Sequence, residues 1–308
     1  MINTHDDLQD RMAIDSKKTI RDIINNITFQ HNKLKKEGAL IGLSGGIDSA
    51  VVTDLSAKAL GNKKIKVLLL PDSESNRIHL RDARDFARQL KIKWEIIDIT
   101  PLLKNFNIKK YGFFSSFPLL NKLKGFLYKK AHNYYQKTSG ETPFVSQLKG
   151  LEEKPYHDYI RKGQAILNLK HRLRMLLLFY YAEQENKMVI GCTNKTEKQI
   201  GLFVKYGCDH LADLMPIIGL YKTQIYQLAS HLEIPTRIIQ KQPSPDLLPG
   251  LDDETMLGIS YEEIDLVLMA RENNLSPEKI SKITGIKIDT VNSIIGLTNA
   301  AKSINVNL

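Results

Sequence analysis

Only two cysteines, Cys192 and Cys208, occur in the 308 residues. That is too few for a disulfide framework or a four-ligand zinc site. No apolar run approaches the ~20 residues that a membrane-spanning helix needs. The polar, acidic opening from Met1 to Ser16 lacks the apolar core of a secretory signal, so a cytoplasmic location is expected. The G-x-x-x-x-G-K-[ST] spacing of a Walker phosphate loop is missing, and so is any C-x-x-C pair. The remainder is ordinary: 42% of residues are hydrophobic and 25% charged, enough for one large or two small domains. Charge is uneven. Lys104 to Lys162 carries 12 Lys/Arg against 4 Asp/Glu, a surplus of 8 within a net charge of +10. Such a segment suits an anionic ligand, nucleic acid or a membrane surface, and suits a plain solvated face equally well.

One stretch stands apart. The apolar Ala39 to Leu43 is followed by Ser44-Gly45-Gly46, then by an amphipathic run from Asp48 to Leu60. The pattern predicts a buried strand, a tight glycine turn and a helix whose first turn faces back at that turn. Backbone N–H groups at a helix start, with the positive end of its dipole, make an anion site. Gly42, Gly45 and Gly46 let the main chain approach a phosphate, and Ser44 and Ser49 add hydroxyl donors. Asp48 would repel a phosphate unless it holds Mg2+, which bridges carboxylate and phosphate oxygens. A strand–helix turn with a serine cap is the blander reading of the same residues. The string Ser44-Gly45-Gly46-Ile47-Asp48-Ser49 resembles the SGGxDS pyrophosphate loop of the ATP pyrophosphatases, which cleave ATP between its α and β phosphates.

Five apolar runs read as strands: Ala39 to Leu43, Ile65 to Leu70, Trp94 to Ile97, Met188 to Gly191 and Asp213 to Ile217. Helical patterns fall between most of them, at Ser49 to Leu60, Ile78 to Leu90, Gln164 to Glu185 and Lys222 to Leu232. This alternation predicts an α/β fold, a doubly wound parallel sheet of about five strands flanked by helices, with ligands beyond the carboxyl ends of the strands. Residues 1–308 are expected to form a single domain. Within it, 105–162 reads as a helical or irregular basic insertion that interleaves lysines with Tyr111, Phe113, Phe114, Phe117, Phe126, Tyr128, Tyr134 and Tyr135. That insertion could be a lid, a dimer surface or a site for an anionic partner. Near the end, Ser260 opens a helix through a capping box. Pro277 to Leu297 mimics a helix-turn-helix but lacks a dense basic face, so a plain helical pair is expected.

A second constellation lies downstream: Asn168-Leu169-Lys170-His171-Arg172-Leu173-Arg174, Gly191-Cys192-Thr193-Asn194-Lys195-Thr196-Glu197, Gly201 to Gly207, Asp213-Leu214-Met215-Pro216-Ile217, Gly219-Leu220-Tyr221-Lys222-Thr223, Pro243-Ser244-Pro245-Asp246-Leu247 and Asp252-Asp253-Glu254. In this order and spacing the motifs resemble the ammonia-dependent NAD synthetases, of the adenine nucleotide alpha hydrolase-like fold. The resemblance implies an AMP-forming ligase. ATP would activate the carboxylate of nicotinic acid adenine dinucleotide, and ammonia would then displace AMP. It also implies residue roles. Asp48 and Glu197 would bind Mg2+, Lys222 and Ser244 would contact phosphates, and Thr193 would lie beside ATP. Arg172 and Lys205 would hold the dinucleotide, and Asp213 would sit near the amidation centre, so that Asp48, Lys222 and Asp213 form the catalytic set. A homodimer follows from the same resemblance. With one helix's worth of chain before Ser44, no glutaminase domain is expected, and ammonia would arrive free or from a separate glutaminase.

Three departures keep other activities open. Leu69 stands where family members often carry an arginine, two residues before Pro71, the stretch Ala300-Ala301-Lys302-Ser303-Ile304-Asn305 stands where many carry a basic Lys-Arg motif, and the 105–162 insertion is atypical. A same-fold ATP-dependent amidotransferase acting on another carboxylate is the second reading. A tRNA-modifying ATP pyrophosphatase is the third. It is favoured only by the basic segment and opposed by the missing C-x-x-C pair, so a nucleic-acid partner is not expected.

Overall fold

The computed structural model describes residues 2, 4–106, 121–150, 154–207, 211–244 and 250–304. α1 (His5–Met12) and α2 (Ser16–Leu34) lead into β1 (Gly38–Gly42). α3 (Ile47–Leu60) crosses to β2 (Ile65–Leu69), and α4 (Arg77–Gln89) crosses to β3 (Lys93–Ile96). After α5 (Thr100–Asn105), α6 (Asn121–Ser139) and α7 (Pro143–Lys149), the long α8 (His157–Gln184) returns the chain to β4 (Lys187–Ile190). α9 (Lys195–Ile200), α10 (Lys222–His231), α11 (Thr236–Ile239), α12 (Asp253–Leu257), α13 (Tyr261–Glu272), α14 (Pro277–Thr284) and α15 (Ile288–Ile304) follow.

The four strands are parallel, in the order β3-β2-β1-β4, with Ile41 opposite both Val67 and Ile190. Alternation divides their side chains between two faces. Ala39, Ile41, Val67, Leu69, Met188 and Ile190 join α2, α3, α4 and α10 in the larger core. Leu40, Leu68 and Val189 meet Met175, Leu178 and Ala182 of α8 on the other face. Both faces of the inner strands are covered, which is why they read as nearly unbroken apolar runs, while the edge strand β3 is half exposed. A further apolar core is helical: Ile264, Val267, Ile280, Val291, Ile294 and Leu297 from α13, α14 and α15 gather with Leu8 and Met12 of α1. Pro277 to Leu297 is therefore a helical pair held to α13. Among the described residues no helix is long and apolar enough to cross a membrane.

The fifth expected strand is corrected. Asp213 to Ile217 makes a single parallel bridge, Leu214 opposite Ile190, instead of a strand. Asp213 turns its carboxylate onto the Val189 N–H (2.7 Å), and Pro216 has no N–H with which to continue a ladder. The 105–162 segment supplies the end of α5, α6, α7 and the start of α8, while Tyr111, Phe113, Phe114 and Phe117 lie outside the described residues. From β1 the chain winds out to β2 and β3, then returns to β4 on the opposite side of β1. The crevice at that reversal, past the strand ends, is where an open parallel sheet takes a ligand.

Candidate active site

The loop between β1 and α3 lies at that crevice. Gly45 has φ +83°, and a Cβ there would collide with the His79 carbonyl, so only glycine suits the turn. Hydroxyls brace the loop from within. Ser44 Oγ accepts from the Gly46 N–H (3.2 Å) and lies 3.1 Å from Ser49 Oγ, and Ser49 Oγ donates to the Gly46 carbonyl (3.0 Å). Gly46 is the N-cap of α3 and has no side chain of its own to cap it, so the N–H groups of the helix's first turn, from Ile47 on, point to the loop side without a side-chain cap. Lys241 clamps the outside. Its Nζ donates to the Gly45 carbonyl (2.8 Å) and pairs with Asp82 (2.7 Å), whose carboxylate Arg81 and Arg237 also reach. Burial would raise the Asp82 pKa, but Lys241 and Arg81 outweigh it and hold the group below its ordinary value.

Across from the loop sits Lys222, the first residue of α10, only 1% exposed. Its ammonium donates to Asp48 Oδ2 (2.5 Å) and Glu197 Oε1 (3.4 Å) and lies 5.0 Å from the centroid of the Tyr261 ring. Burial alone would discharge this lysine, yet the Asp48 and Glu197 carboxylates overcome that and keep it charged. Asn194 orients both acids. Its amide donates to Asp48 Oδ1 (2.9 Å), and its side-chain oxygen accepts from the Glu197 N–H (3.0 Å) in a capping box at the start of α9. Behind them Asp265 of α13 accepts from Thr196 Oγ (2.5 Å) and from the Thr223 N–H and hydroxyl (2.8 Å each), and Thr196 Oγ receives the Lys222 N–H (2.9 Å). Two acids, an amide and two threonines thus fix one ammonium. Asp48 and Glu197 are the two carboxylates within hydrogen-bond reach of this ammonium.

Asp253, 5% exposed, is the third carboxylate near Lys222 and accepts from the Tyr261 hydroxyl (2.9 Å). Burial pushes it up to about 6, although Lys222 and Tyr261 pull the other way. A carboxyl raised in the folded state stabilises the fold only while protonated, so its contribution is full below the unfolded pKa and is lost as pH rises through about 6. Asp253→Asn should therefore gain stability relative to the parent between pH 4 and 7, by on the order of 2 kcal/mol. Chemical unfolding of both proteins across that range is the measurement, and a pH-independent difference would count against it.

The cleft that these groups line extends past the ends of β2 and β4 over Leu68, Leu70, Leu178 and Ile190. Arg174 of α8 forms part of its wall, donating to the Leu70 carbonyl (3.0 Å) and to Asp72 (3.1 Å). Of the residues expected from sequence, Gly42, Ser44, Gly46, Asp48, Ser49, Glu197, Lys222 and Ser244 line this one cleft. Gly45 belongs to the same loop, and Thr193 is buried next to Asn194. Arg172, Lys205 and Asp213 stand away from it. The Arg172 guanidinium donates to the Lys205 carbonyl (3.2 and 3.3 Å), the Lys205 ammonium lies over Tyr206 (5.3 Å), and Asp213 holds β4. Positions 172 and 174 diverge by roughly 200° around a helix, so one arginine faces the cleft and the other the surface. Lys241, Asp253 and Arg174 were not assigned from sequence. The nearest signals were the Lys-x-Pro-Ser at 241–244 and the paired acids 252–253.

The chain as a whole is similar to known proteins. The family description NAD synthase matches residues 19–113 and 141–303. The NH(3)-dependent NAD(+) synthetase of Thermotoga maritima is 38% identical over 266 residues, 85% of this chain and 91% of that protein. The enzyme of the same name from Methanosarcina acetivorans is 35% identical over 91% of this chain and 92% of its own length. Among solved structures, NMN synthetase from Francisella tularensis superposes with a TM-score of 0.62 at 28% identity, covering 89% of this chain and 94% of that one. An NH3-dependent NAD synthetase from Campylobacter jejuni gives 0.59 at 28% identity, covering 89% and 93%.

Proposed function

Because the chain belongs to the NAD synthase family, we propose that it is an ATP-dependent amide ligase: it adenylates the carboxylate of nicotinic acid adenine dinucleotide and amidates it with ammonia to give NAD, AMP and pyrophosphate. One observation carries this reading. A helix start built for phosphate faces a buried ammonium held by two carboxylates across a cleft with an apolar floor. Leu68, Leu70, Leu178 and Ile190 suit the flat apolar face of a purine. The α3 N–H groups and the Ser44 and Ser49 hydroxyls suit the β and γ phosphates, which depart together as pyrophosphate. Displacement at phosphorus asks mainly for charge neutralisation, which Lys222 and the loop would supply in this reading. Thr193 and Ser244 join the ATP contacts in this reading.

The residues also fit Mg2+. Asp48 and Glu197 aim hard oxygens at one point, where Lys222 now supplies the positive charge. Among the described residues no cluster of three or more His, Cys, Asp or Glu forms a closed metal site. The remaining ligands would be phosphate oxygens and water, as suits this ion. When bound, the ion neutralises charge on the transferring phosphoryl group. Arg172 and Lys205, outside the cleft, would take the far half of a long dinucleotide in this reading. Asp213 enters through the β4 backbone it holds, near the amidation step. A homodimer acting in the cytoplasm on free ammonia, or on ammonia from a separate glutaminase, completes the proposal.

The resemblance to NMN synthetase favours one competing acceptor, the mononucleotide. Purified protein given ATP, Mg2+ and ammonium should convert nicotinic acid adenine dinucleotide to its amide with one AMP and one pyrophosphate per turnover, read by mass spectrometry. Amide from nicotinic acid mononucleotide alone would transfer the activity to that substrate, and ADP as the stoichiometric product would refute the mechanism.

A further inference from the structure

α6 lies wholly inside 114–140, the stretch that the family description leaves unmatched. Its charges would suit a solvated helix, and Lys129, Lys130 and Lys137 are indeed exposed. Lys124 is not. It is 3% exposed, and it shares the inward face with Gly125, His132 and Tyr135. A buried lysine is costly unless paired, and this one pairs with Glu74 (3.6 Å) just beyond β2. Glu74 also pairs with Lys170 (2.9 Å), Lys170 reaches Asp72 (3.3 Å), and Asp72 binds Arg174 (3.1 Å) in the cleft wall. The charges alternate in sign from α6 to the nucleotide cleft.

The same helix grips the opposite wall. Gly125 crosses Gly250 so closely that a Cβ added at Gly250 would lie 2.9 Å from the Gly125 Cα. The buried His132 ring faces the main chain of Thr255 in α12, the helix that carries Asp253. The Tyr135 hydroxyl donates to Ser146 of α7 (2.9 Å).

We propose that α6 is a strap joining the two walls of the nucleotide cleft, with Lys124 a positioning residue that sets Arg174 through Glu74, Lys170 and Asp72. The inference rests on the nucleotide site proposed above. It is tested by calorimetric binding of α,β-methylene-ATP with Mg2+, alongside thermal unfolding. Lys124→Met and Glu74→Gln should each weaken binding about tenfold, and the double variant no further, the signature of one coupled pair. Lys124→Arg should restore affinity to within about threefold, and Lys129→Met on the exposed face should leave it unchanged. Parent-like binding by folded Lys124→Met overturns the strap. If that variant does not fold, parent-like binding by Glu74→Gln overturns it instead. Binding without amide formation in the parent protein would remove the proposed activity and leave the strap standing. No binding by the parent overturns both.

Discussion

Asp48→Asn and Glu197→Gln should each lower AMP formation by about a thousandfold or more while thermal unfolding stays close to that of the parent. Both halves of this expectation come from the same cluster. Asp48 accepts from Lys222 on one oxygen and from Asn194 on the other, so the amide keeps the shape and one of these acceptors but loses the charge that a phosphate-bound cation needs. The fold survives because Lys222 faces three carboxylates and retains two after either change. Steady-state AMP release at saturating ATP and Mg2+ is the measurement. Turnover within tenfold of the parent in either variant would remove these acids from the reaction.

Lys222→Met should be damaging in a different way. It strips the ammonium from Asp48, Glu197 and Asp253 and leaves buried negative charge without its partner, a cost of about 3–5 kcal/mol. Turnover should fall by at least about a hundredfold, since the phosphate-facing cation is gone. The stability loss should depend on pH. Without the ammonium nothing charged offsets the burial that already holds the Asp253 carboxyl above its ordinary value, so the penalty is full while it is ionised and fades as it takes up a proton. The gap between variant and parent should thus be widest near pH 8 and narrow toward pH 5, as urea unfolding at several pH values can show. A gap that is constant with pH would mean that the ammonium is not balancing those carboxylates.

How far the chain announces this site depends on the residue. The loop at 44–49 was legible because strand, glycines and helix are contiguous, and Gly45 is required by a backbone clash that neighbouring residues create. β1, β2 and β4 were legible because strands covered on both faces need nearly unbroken apolar runs, and the half-exposed β3 showed itself through Trp94, Ile96 and Ile97. Asp213 to Ile217 had the same apolar look, but hydrophobicity does not reveal that Asp213 spends its side chain on the Val189 N–H. The pairing of Asp48 with Lys222 spans 174 residues, so no local spacing encodes it, and only the order of whole motifs pointed there. Lys241 and Lys124 read as surface lysines. What distinguishes them is the carbonyl and the carboxylates that distant segments bring to their amines, which only the folded chain displays.

The buried ammonium has one more consequence, for how the molecule comes apart. Lys222 begins α10, whose apolar side belongs to the sheet core, as does α3 bearing Asp48. Asp253 and Asp265, by contrast, sit on α12 and α13, which feed the helical core. The cluster is a weld seam between the two cores. Melting either half would strand charges belonging to the other, so neither can loosen quietly by itself. A nucleotide seated on this seam will act as a rivet, raising the resistance of both cores to proteolysis together.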